Sequence, residues 1–308
     1  MNRKYKDFTI ILLLGGLYLG LFLFPDMIMQ AGSSALTIFK EKLFPSIFPF
    51  FVLSFLLLNL GFAEKLSKLV EPLMMKIFHI QGKGAFVLLV SIISGFPSGA
   101  KTIATLYQEK KLTKEEANYL LFFTHFANPL FVLGTCGILL GNQNYAYKIF
   151  ICQLLSNFIL GILLRPKLEK KKYSLETSNQ DTSNYSFLKA LITAIKAAMD
   201  VLLFMLGSVT FFLFASQILL TFIDLPPFLE VIISGILDLT TGVSLTATID
   251  VSSFFQAMMM LSFITFGSLS VHLQVINALQ DKNLSYHNFL IGRIIQTAIA
   301  LLLFLLMN

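Results

Sequence analysis

Four short stretches place polar side chains and helix-breaking residues inside long apolar segments, where they could bind a small polar solute. They are residues 94–102, 125–129, 235–242 and 266–274. Irregular backbone within an apolar membrane segment survives only where protein buries it or water reaches it. We therefore expect these four stretches to form the functional part of the chain.

The first stretch predicts a helix that is broken near its centre. Gly95 and Gly99 permit backbone angles that other residues avoid, and Pro97 lacks the amide hydrogen that a helix interior requires. Residues 86–107 around them are long enough to cross a membrane. We expect a broken or re-entrant element here, and the alternative is a span that is merely kinked at Pro97.

Polar side chains follow this break at helical spacing. Ser98 and Thr102 are four residues apart, so they would share one face of a helix whose free N-terminal amides attract a polar or anionic group. Lys101 beside them would need a counter-charge or a path to water. In the alternative interpretation, Lys101 extends to the membrane surface and the hydroxyls bond their own helix.

The later stretches add an amide, a carboxylate and a run of alternating polar residues. Asn128 precedes a proline, which predicts either an open carbonyl for coordination or a simple kink. Asp238 is a carboxylate in an apolar segment, hence either a functional group or the N-cap of a half-helix. Polar residues alternate along residues 268–274, so a loop or strand-like turn would face them the same way, whereas a helix would scatter them. The candidate solute-binding residues are Gly95, Pro97, Ser98, Gly99, Lys101, Thr102, Asn128, Asp238, Thr240, Ser268, Ser270, His272 and Gln274.

Other kinds of site are not predicted. The four histidines have no metal-ligand spacing, and Cys136 and Cys152 lie in apolar runs, where inert buried thiols are expected. We expect neither a metal centre nor a cofactor. No nucleophile–base set and no phosphate loop occurs, so the sequence favours a protein that is not an enzyme.

Composition sets the fold class. Of the 308 residues, 56% are hydrophobic and only 13% are charged, with a mean hydropathy of +0.78. Soluble domains average about 25% charged residues. The sequence therefore predicts an all-α polytopic membrane protein. Its net charge of +6 is concentrated in short loops, which indicates membrane topology rather than nucleic-acid binding.

The chain divides at one polar linker. Residues 1–43 are predicted to hold a first span and its connection, the span being an uncleaved helix rather than a signal peptide. Residues 44–165 form a first half, residues 166–186 a basic and polar cytoplasmic linker, and residues 187–308 a second half.

Basic residues favour a re-entrant first broken segment in a multi-pass protein of the cell membrane. With the N-terminus in the cytoplasm, residues 65–83 fall inside. If residues 86–107 crossed fully, the basic stretches at 110–114 and 165–172 would lie outside, whereas a hairpin returns both to the cytoplasm. The same reasoning predicts an acidic outer face in the second half, formed by Asp224, Glu230, Asp250 and Asp281.

An internal similarity suggests two inverted halves. At an offset of 172 residues, Gly95 pairs with Gly267 and Ser98 with Ser270, and residues 108–113 resemble residues 280–285. The topology above would place these two copies on opposite sides of the membrane. Inverted repeats with interrupted helices are the architecture of many secondary transporters.

Residues 94–101, 111–117 and 128–131 resemble the sporulation integral membrane protein YlbJ family, whose domain is named nucleoside recognition or Gate. Residues 235–242 and 266–274 look like its acidic and its glycine–serine–histidine–glutamine motifs, although Asp238 stands where the family has Glu and Ser268 where it often has glycine. The resemblance implies a plasma-membrane protein of spore-forming or related bacteria with a role in spore cortex formation. It does not supply a substrate.

Two functions are compatible with these observations. In the first, a permease-like protein binds or moves a small polar solute, with Asp238 as the ionisable group and neutral hydroxyls around it. In the second, a non-transporting scaffold assembles the spore envelope, and the same residues are buried and bonded to one another. The expected partners are the lipid bilayer and an unidentified small polar solute, with no nucleic acid. A homo-oligomer and partner membrane proteins are left open.

Overall fold

The computed structural model describes residues 3–166, 186–223 and 225–308. The described residues form helices and connecting turns, with no strand among them. Four helices are long and apolar enough to cross a membrane, and counting each of two bent helix pairs as one span raises the number to six. The prediction of an all-α polytopic protein is confirmed. Residues 167–185 of the predicted linker and Asp224 lie outside the described residues.

The first half and the segment before it contain nine helices within residues 3–166. They are α1 Arg3–Leu23, α2 Pro25–Ile38, α3 Phe44–Asn59, α4 Phe62–Ile77, α5 Lys83–Ser94, α6 Ser98–Gln108, α7 Lys114–Phe123, α8 Gly137–Leu140 and α9 Gln143–Leu163.

The second half contains six helices within the described residues from 186 onward. They are α10 Phe187–Phe222, α11 Pro227–Leu237, α12 Leu239–Thr246, α13 Ser253–Phe266, α14 Ser268–Leu279 and α15 Tyr286–Leu306.

The connection predicted before residue 44 is helical instead. A π-helical turn at Phe39–Leu43 joins α2 to α3, so helical backbone runs from Pro25 to Asn59. Proline at position 45 would remove a hydrogen bond from a regular helix and clash with the preceding turn. A wider π-helical turn just before it accommodates the proline, so the helical backbone continues into α3. The 36-residue α10 packs along α2 and α3.

Three contacts gather the basic stretches at one end of the helix bundle, which we call the basic end. Lys111 Nζ pairs with Glu64 of α4 at 2.6 Å. Glu116 Oε1 accepts a hydrogen bond from the Gln81 amide at 3.3 Å, and His79 Nδ1 lies 2.7 Å from the carbonyl oxygen of Pro166. Helix α4 crosses this end at 82° to α3, as an amphipathic surface helix would.

The first broken segment is a helical hairpin that opens at the basic end. Ser98 Oγ lies 3.5 Å from the carbonyl oxygen of Val90, eight residues earlier. In a continuous helix residues eight apart are separated by about 12 Å, so the chain folds back at the break between α5 and α6. The second helix of the hairpin, α6, leads into α7 through a capping box, in which Thr113 and Glu116 bond each other's backbone amides.

The spans behind the hairpin alternate in direction. Helices α7 and α15 begin side by side, because Asn118 Oδ1 accepts from the Ser285 amide at 2.8 Å. Helix α9 runs the other way, since Lys148 near its start bonds Asn308 just after α15 at 2.6 Å. Helix α13 also begins beside the end of α15, where the rings of Phe254 and Phe304 are 5.7 Å apart.

The second half repeats the order of the first in the opposite direction. Helices α11 and α12 form a second hairpin, because a Cβ on Gly242 would overlap Gly235 Cα, although the two residues are seven apart. This hairpin leads into α13 at the end opposite the basic end. Hairpin α5–α6, broken span α7–α8 and span α9 therefore correspond to hairpin α11–α12, broken span α13–α14 and span α15, as inverted halves require.

The internal repeat predicted at an offset of 172 residues pairs structural elements that do not correspond. It matched the α5–α6 hairpin to residues around Gly267, which instead interrupt an apolar stretch, Ser253–Leu279, that is long enough to be one span. The similar turns at residues 108–113 and 280–285 lie at the same end, held there by Asn118. Asp281 is therefore at the basic end rather than on an acidic opposite face, whereas Asp250 lies at the opposite end as predicted.

Replacing Gly242 with alanine should destabilise the protein, because the added methyl group collides with backbone of the facing helix and with the Phe263 ring. Overpacking of this kind typically costs about 1–3 kcal/mol. The matched control is Gly207→Ala in α10, where nothing lies within 4 Å of the added carbon. Thermal unfolding of purified protein in lipid nanodiscs should show a lower midpoint for Gly242→Ala only. Equal midpoints for the two variants would contradict the close crossing of α11 and α12.

Candidate functional site

A cavity of about 270 Å³ lies where the two hairpin tips meet the two broken spans. Phe96 reaches it from the first hairpin and Asp238 from the second, while Asn128 and Ser270 come from the breaks. Helices α3 and α10 and the π-helical turn before α3 close the remaining sides. The cavity is lined by Glu41, Leu43, Ile47, Phe96, Ala127, Asn128, Leu130, Phe131, Thr135, Met205, Val209, Asp238, Leu239, Thr240, Ser270, Val271 and Gln274.

Asp238 occupies the tip of the second hairpin. Its Oδ2 accepts hydrogen bonds from the amide and the hydroxyl of Thr241, both at 2.9 Å, and the Ser270 hydroxyl is a further partner. The residue is 1% exposed and caps α12, as the capping alternative predicted. It also lines the cavity, so capping and solute contact are compatible roles of the same carboxylate.

Asn128 holds the first hairpin against the break in the first broken span. Its Nδ2 donates to the carbonyl oxygens of Ile93 at 3.0 Å and Ser94 at 3.4 Å, which are end groups of α5. Its Oδ1 accepts from the Leu130 amide at 2.8 Å. Gly95 has a φ of +77°, and a Cβ there would strike the Asn128 backbone, so glycine is required. The amide therefore positions the hairpin tip that carries Phe96.

Gln274 forms the wall between this cavity and a smaller one of about 50 Å³. Its Nε2 donates to Ser208 Oγ of α10 at 3.2 Å. The Ser208 hydroxyl proton is already donated to the Met205 carbonyl oxygen at 2.9 Å, which fixes the orientation of the Gln274 amide. Gln274 Oε1 has no hydrogen-bond partner, although the residue is only 4% exposed.

The structure brings five of the predicted residues to the larger cavity and places the others elsewhere. Pro97 and Lys101 line the smaller cavity, together with Asp200 of α10. Ser98 bonds the Gly95 carbonyl oxygen at 2.5 Å within the hairpin turn. The predicted residues at the larger cavity are Asn128, Asp238, Thr240, Ser270 and Gln274, and those in neither cavity lining are Gly95, Ser98, Gly99, Thr102, Ser268 and His272.

The polar residues of the fourth stretch are scattered because α14 begins at Ser268. The Ser268 hydroxyl donates to the Gly235 carbonyl oxygen and so ties α14 to the second hairpin. His272 turns away from the cavity, with Nδ1 2.8 Å from the Tyr286 hydroxyl and Nε2 3.0 Å from the Phe266 carbonyl oxygen. Of the two alternatives, the helical one applies, since helical geometry separates alternate residues by 200° steps.

Arg293 is a buried cation that the motifs did not reveal. It is 0% exposed in α15, and its partners are oxygens of carbonyl and amide groups. Nη2 donates to the Phe122 carbonyl oxygen at 2.9 Å and to Asn157 Oδ1 at 3.1 Å, while Nη1 donates to the His125 carbonyl oxygen at 3.1 Å and to Gln296 Oε1. The guanidinium therefore caps the carbonyl end of α7, where the helix dipole favours a cation.

Two neighbours complete the support of this break. Gln153 Oε1 accepts from the Ala127 amide at 3.1 Å, and Asn157 Nδ2 donates to the His125 carbonyl oxygen at 2.8 Å. These residues lie on α9, so both final spans stabilise the break that carries Asn128. A sequence signal for Arg293 did exist, because an ionisable residue inside an apolar span marks a functional or structural site.

Replacing Arg293 with methionine should destabilise the protein by removing the donor of several buried oxygens, each costing about 1–3 kcal/mol when left unpaired. Arg293→Lys should have a stability between those of the wild type and Arg293→Met, because a single ammonium group cannot reproduce the planar, forked guanidinium. Lys148→Met removes a half-buried cation from α9 whose partner is Asn308 just after α15, away from the break, and serves as the control. The midpoint of thermal unfolding in nanodiscs is measured for all three variants. An Arg293→Met protein as stable as the control would refute the capping role.

Among the described residues, no group of three or more His, Cys, Asp or Glu side chains is arranged to hold a metal ion. Cys136 and Cys152 are buried free thiols.

Comparisons with known proteins give a family match and a curated relative. Residues 41–143 match the Gate family, whose description is nucleoside recognition. The chain is 28% identical to the sporulation integral membrane protein YlbJ of Bacillus subtilis (strain 168), over 88% of this chain and 75% of the relative. No solved structure matches the chain significantly. Neither matched family is a known enzyme family. The chain is therefore an integral membrane protein in which residues 41–143 match the Gate family, and most of its length is similar to YlbJ.

Proposed function

We propose that this protein binds a small polar solute in the cavity between the hairpin tips and moves it across the cell membrane. It acts during sporulation, as the name of its homologue indicates for that protein. It performs no chemical conversion of the solute. The observation that carries the proposal is the meeting of four interrupted elements, two from each inverted half, around one cavity.

This arrangement supports transport for a physical reason. Hairpins that enter from opposite ends and touch at their tips allow a solute at the centre to be opened to either side by moving one half against the other. The cavity combines apolar walls with a few convergent polar groups, which is usual for solute sites. At about 270 Å³ it is near the lower limit of typical ligand pockets, which favours a small solute.

A scaffold of the spore envelope is the second candidate. It is favoured by the predicted residues that are bonded within the protein, since Ser98 and Ser268 each donate to a nearby carbonyl oxygen. These contacts stabilise the hairpins, and the cavity between the hairpins supports the transport candidate. A scaffold has no need of a carboxylate in a solute-sized space.

The uptake of solutes by proteoliposomes tests the transport function. Nucleosides, small peptidoglycan precursors and organic cations are supplied one at a time to vesicles that contain the full-length protein. Saturable uptake should occur for at least one solute and fall at least about tenfold in Asp238→Asn, which still caps α12 but loses the charge. Asp281→Asn, in a turn remote from the cavity, is the control. Absence of uptake of every solute by a correctly folded protein would favour the scaffold.

We also propose that the N-terminus faces the cytoplasm and that the basic end faces it as well. Single cysteines at Lys110 and Asp250, both exposed, test this in a background with Cys136 and Cys152 replaced by alanine. A membrane-impermeant maleimide should label Asp250→Cys in intact cells and Lys110→Cys only after permeabilisation. Labelling of Lys110→Cys in intact cells would reverse the orientation.

A further inference from the structure

We propose that the solute is an organic cation, an amine or guanidine whose charged head lies near Asp238 and whose carbon skeleton contacts the apolar walls. This inference rests on the proposed function and names the chemical class of its substrate. It comes from the charges and hydrogen-bonding groups that line the cavity.

The charge of the lining has one sign among the side chains that the structure describes. Of these, Glu41 and Asp238 are the charged residues, and none is a lysine, arginine or histidine. Lys101 lies beyond Gln274 in the smaller cavity, and Arg293 is occupied by carbonyl and amide oxygens. In a space of low dielectric constant, a solute carrying negative charge would be repelled, whereas a positive charge would be attracted.

The hydrogen-bonding groups agree with the charge. Both polar atoms of the Asn128 amide are engaged within the protein, and the Ser270 hydroxyl is a partner of Asp238. Gln274 Oε1 is a buried acceptor without a donor, and the contact with Ser208 fixes it as the oxygen. An unpaired buried acceptor costs about 1–3 kcal/mol. A solute with N–H groups would satisfy this oxygen and the Asp238 carboxylate together.

The walls favour an organic cation over a metal ion. Phe96 and Phe131 line the cavity, and aromatic rings attract cations, most strongly where water is excluded. Ile47, Met205 and Val209 offer carbon surface to a hydrocarbon skeleton. Ca²⁺ requires six to eight oxygen ligands and Mg²⁺ a near-octahedral set, whereas the described lining offers two carboxylates and no group of three His, Cys, Asp or Glu that could hold a metal ion.

A set of three probes of equal shape tests the charge class. 2-Phenylethylamine is the cation, 2-phenylethanol the neutral analogue and phenylacetate the anion. Each is titrated by calorimetry into the full-length protein in nanodiscs of a zwitterionic lipid, with empty nanodiscs as the blank. The amine should bind at least about tenfold more tightly than the alcohol, and the acid should not bind.

Substitutions of the carboxylates that line the cavity test whether this preference arises there. Asp238→Asn should weaken binding of the amine at least about tenfold while leaving binding of the alcohol nearly unchanged. Glu41→Gln should have a smaller effect in the same direction, and it remains informative if the Asp238 variant does not fold. Asp281→Asn should change nothing.

Two results would overturn the inference in different ways. The first is that the acid or the alcohol binds as tightly as the amine, or that Asp238→Asn leaves amine binding intact. Either observation would show that the solute is not recognised as a cation, while the proposal of a solute site would be unaffected. If none of the three probes binds at millimolar concentration, the organic-cation class is wrong, and the uptake experiment then decides independently whether the protein transports another solute.

Discussion

A helix that breaks inside a membrane leaves carbonyl and amide groups that must find partners within the protein, and the whole structure is arranged around this requirement. The free backbone groups at the break after α7 are hydrogen-bonded by Arg293, Asn157 and Gln153, which lie on the last span of each half. The end of α5 is served by Asn128, and the start of α12 by Asp238. Asp238 caps its own hairpin, whereas the other partners come from another interrupted or neighbouring element and so link the breaks to one another.

This linkage explains why a cavity exists at the centre. Two hairpins entering from opposite ends stop at their tips instead of crossing, and the polar residues that terminate them cannot be covered by lipid. Asn128 fixes the first tip and Ser268 fixes the second through the Gly235 carbonyl oxygen. The other side chains at the two tips face the remaining space. A solute-sized cavity therefore results from the way the broken helix ends obtain their hydrogen bonds. The same residues therefore stabilise the breaks and, in the proposed function, bind the solute.

Much of this arrangement could be predicted from the sequence, because glycine, proline and isolated polar residues mark helix breaks by local rules. The break at Gly95, the cap at Thr113 and the carboxylate at Asp238 were accessible in this way. Directions of elements were not, since the similar turns before α7 and α15 carry no information about which way each helix runs. Nor could local patterns show that α14 is helical from its first residue and turns His272 away, or that Arg293 reaches carbonyl groups 168 and 171 positions earlier in the chain.

The position of Arg293 has a consequence for biogenesis. The carbonyl groups at the end of α7 belong to the first half, but the guanidinium that caps them emerges from the ribosome only with the last helix. Until that helix is inserted, the break lacks one of its principal donors, and Asn128 has no fixed frame from which to hold the hairpin. The first half alone therefore has unpaired backbone carbonyl groups at its break in the membrane. The central cavity reaches its final form only when the last helix is inserted.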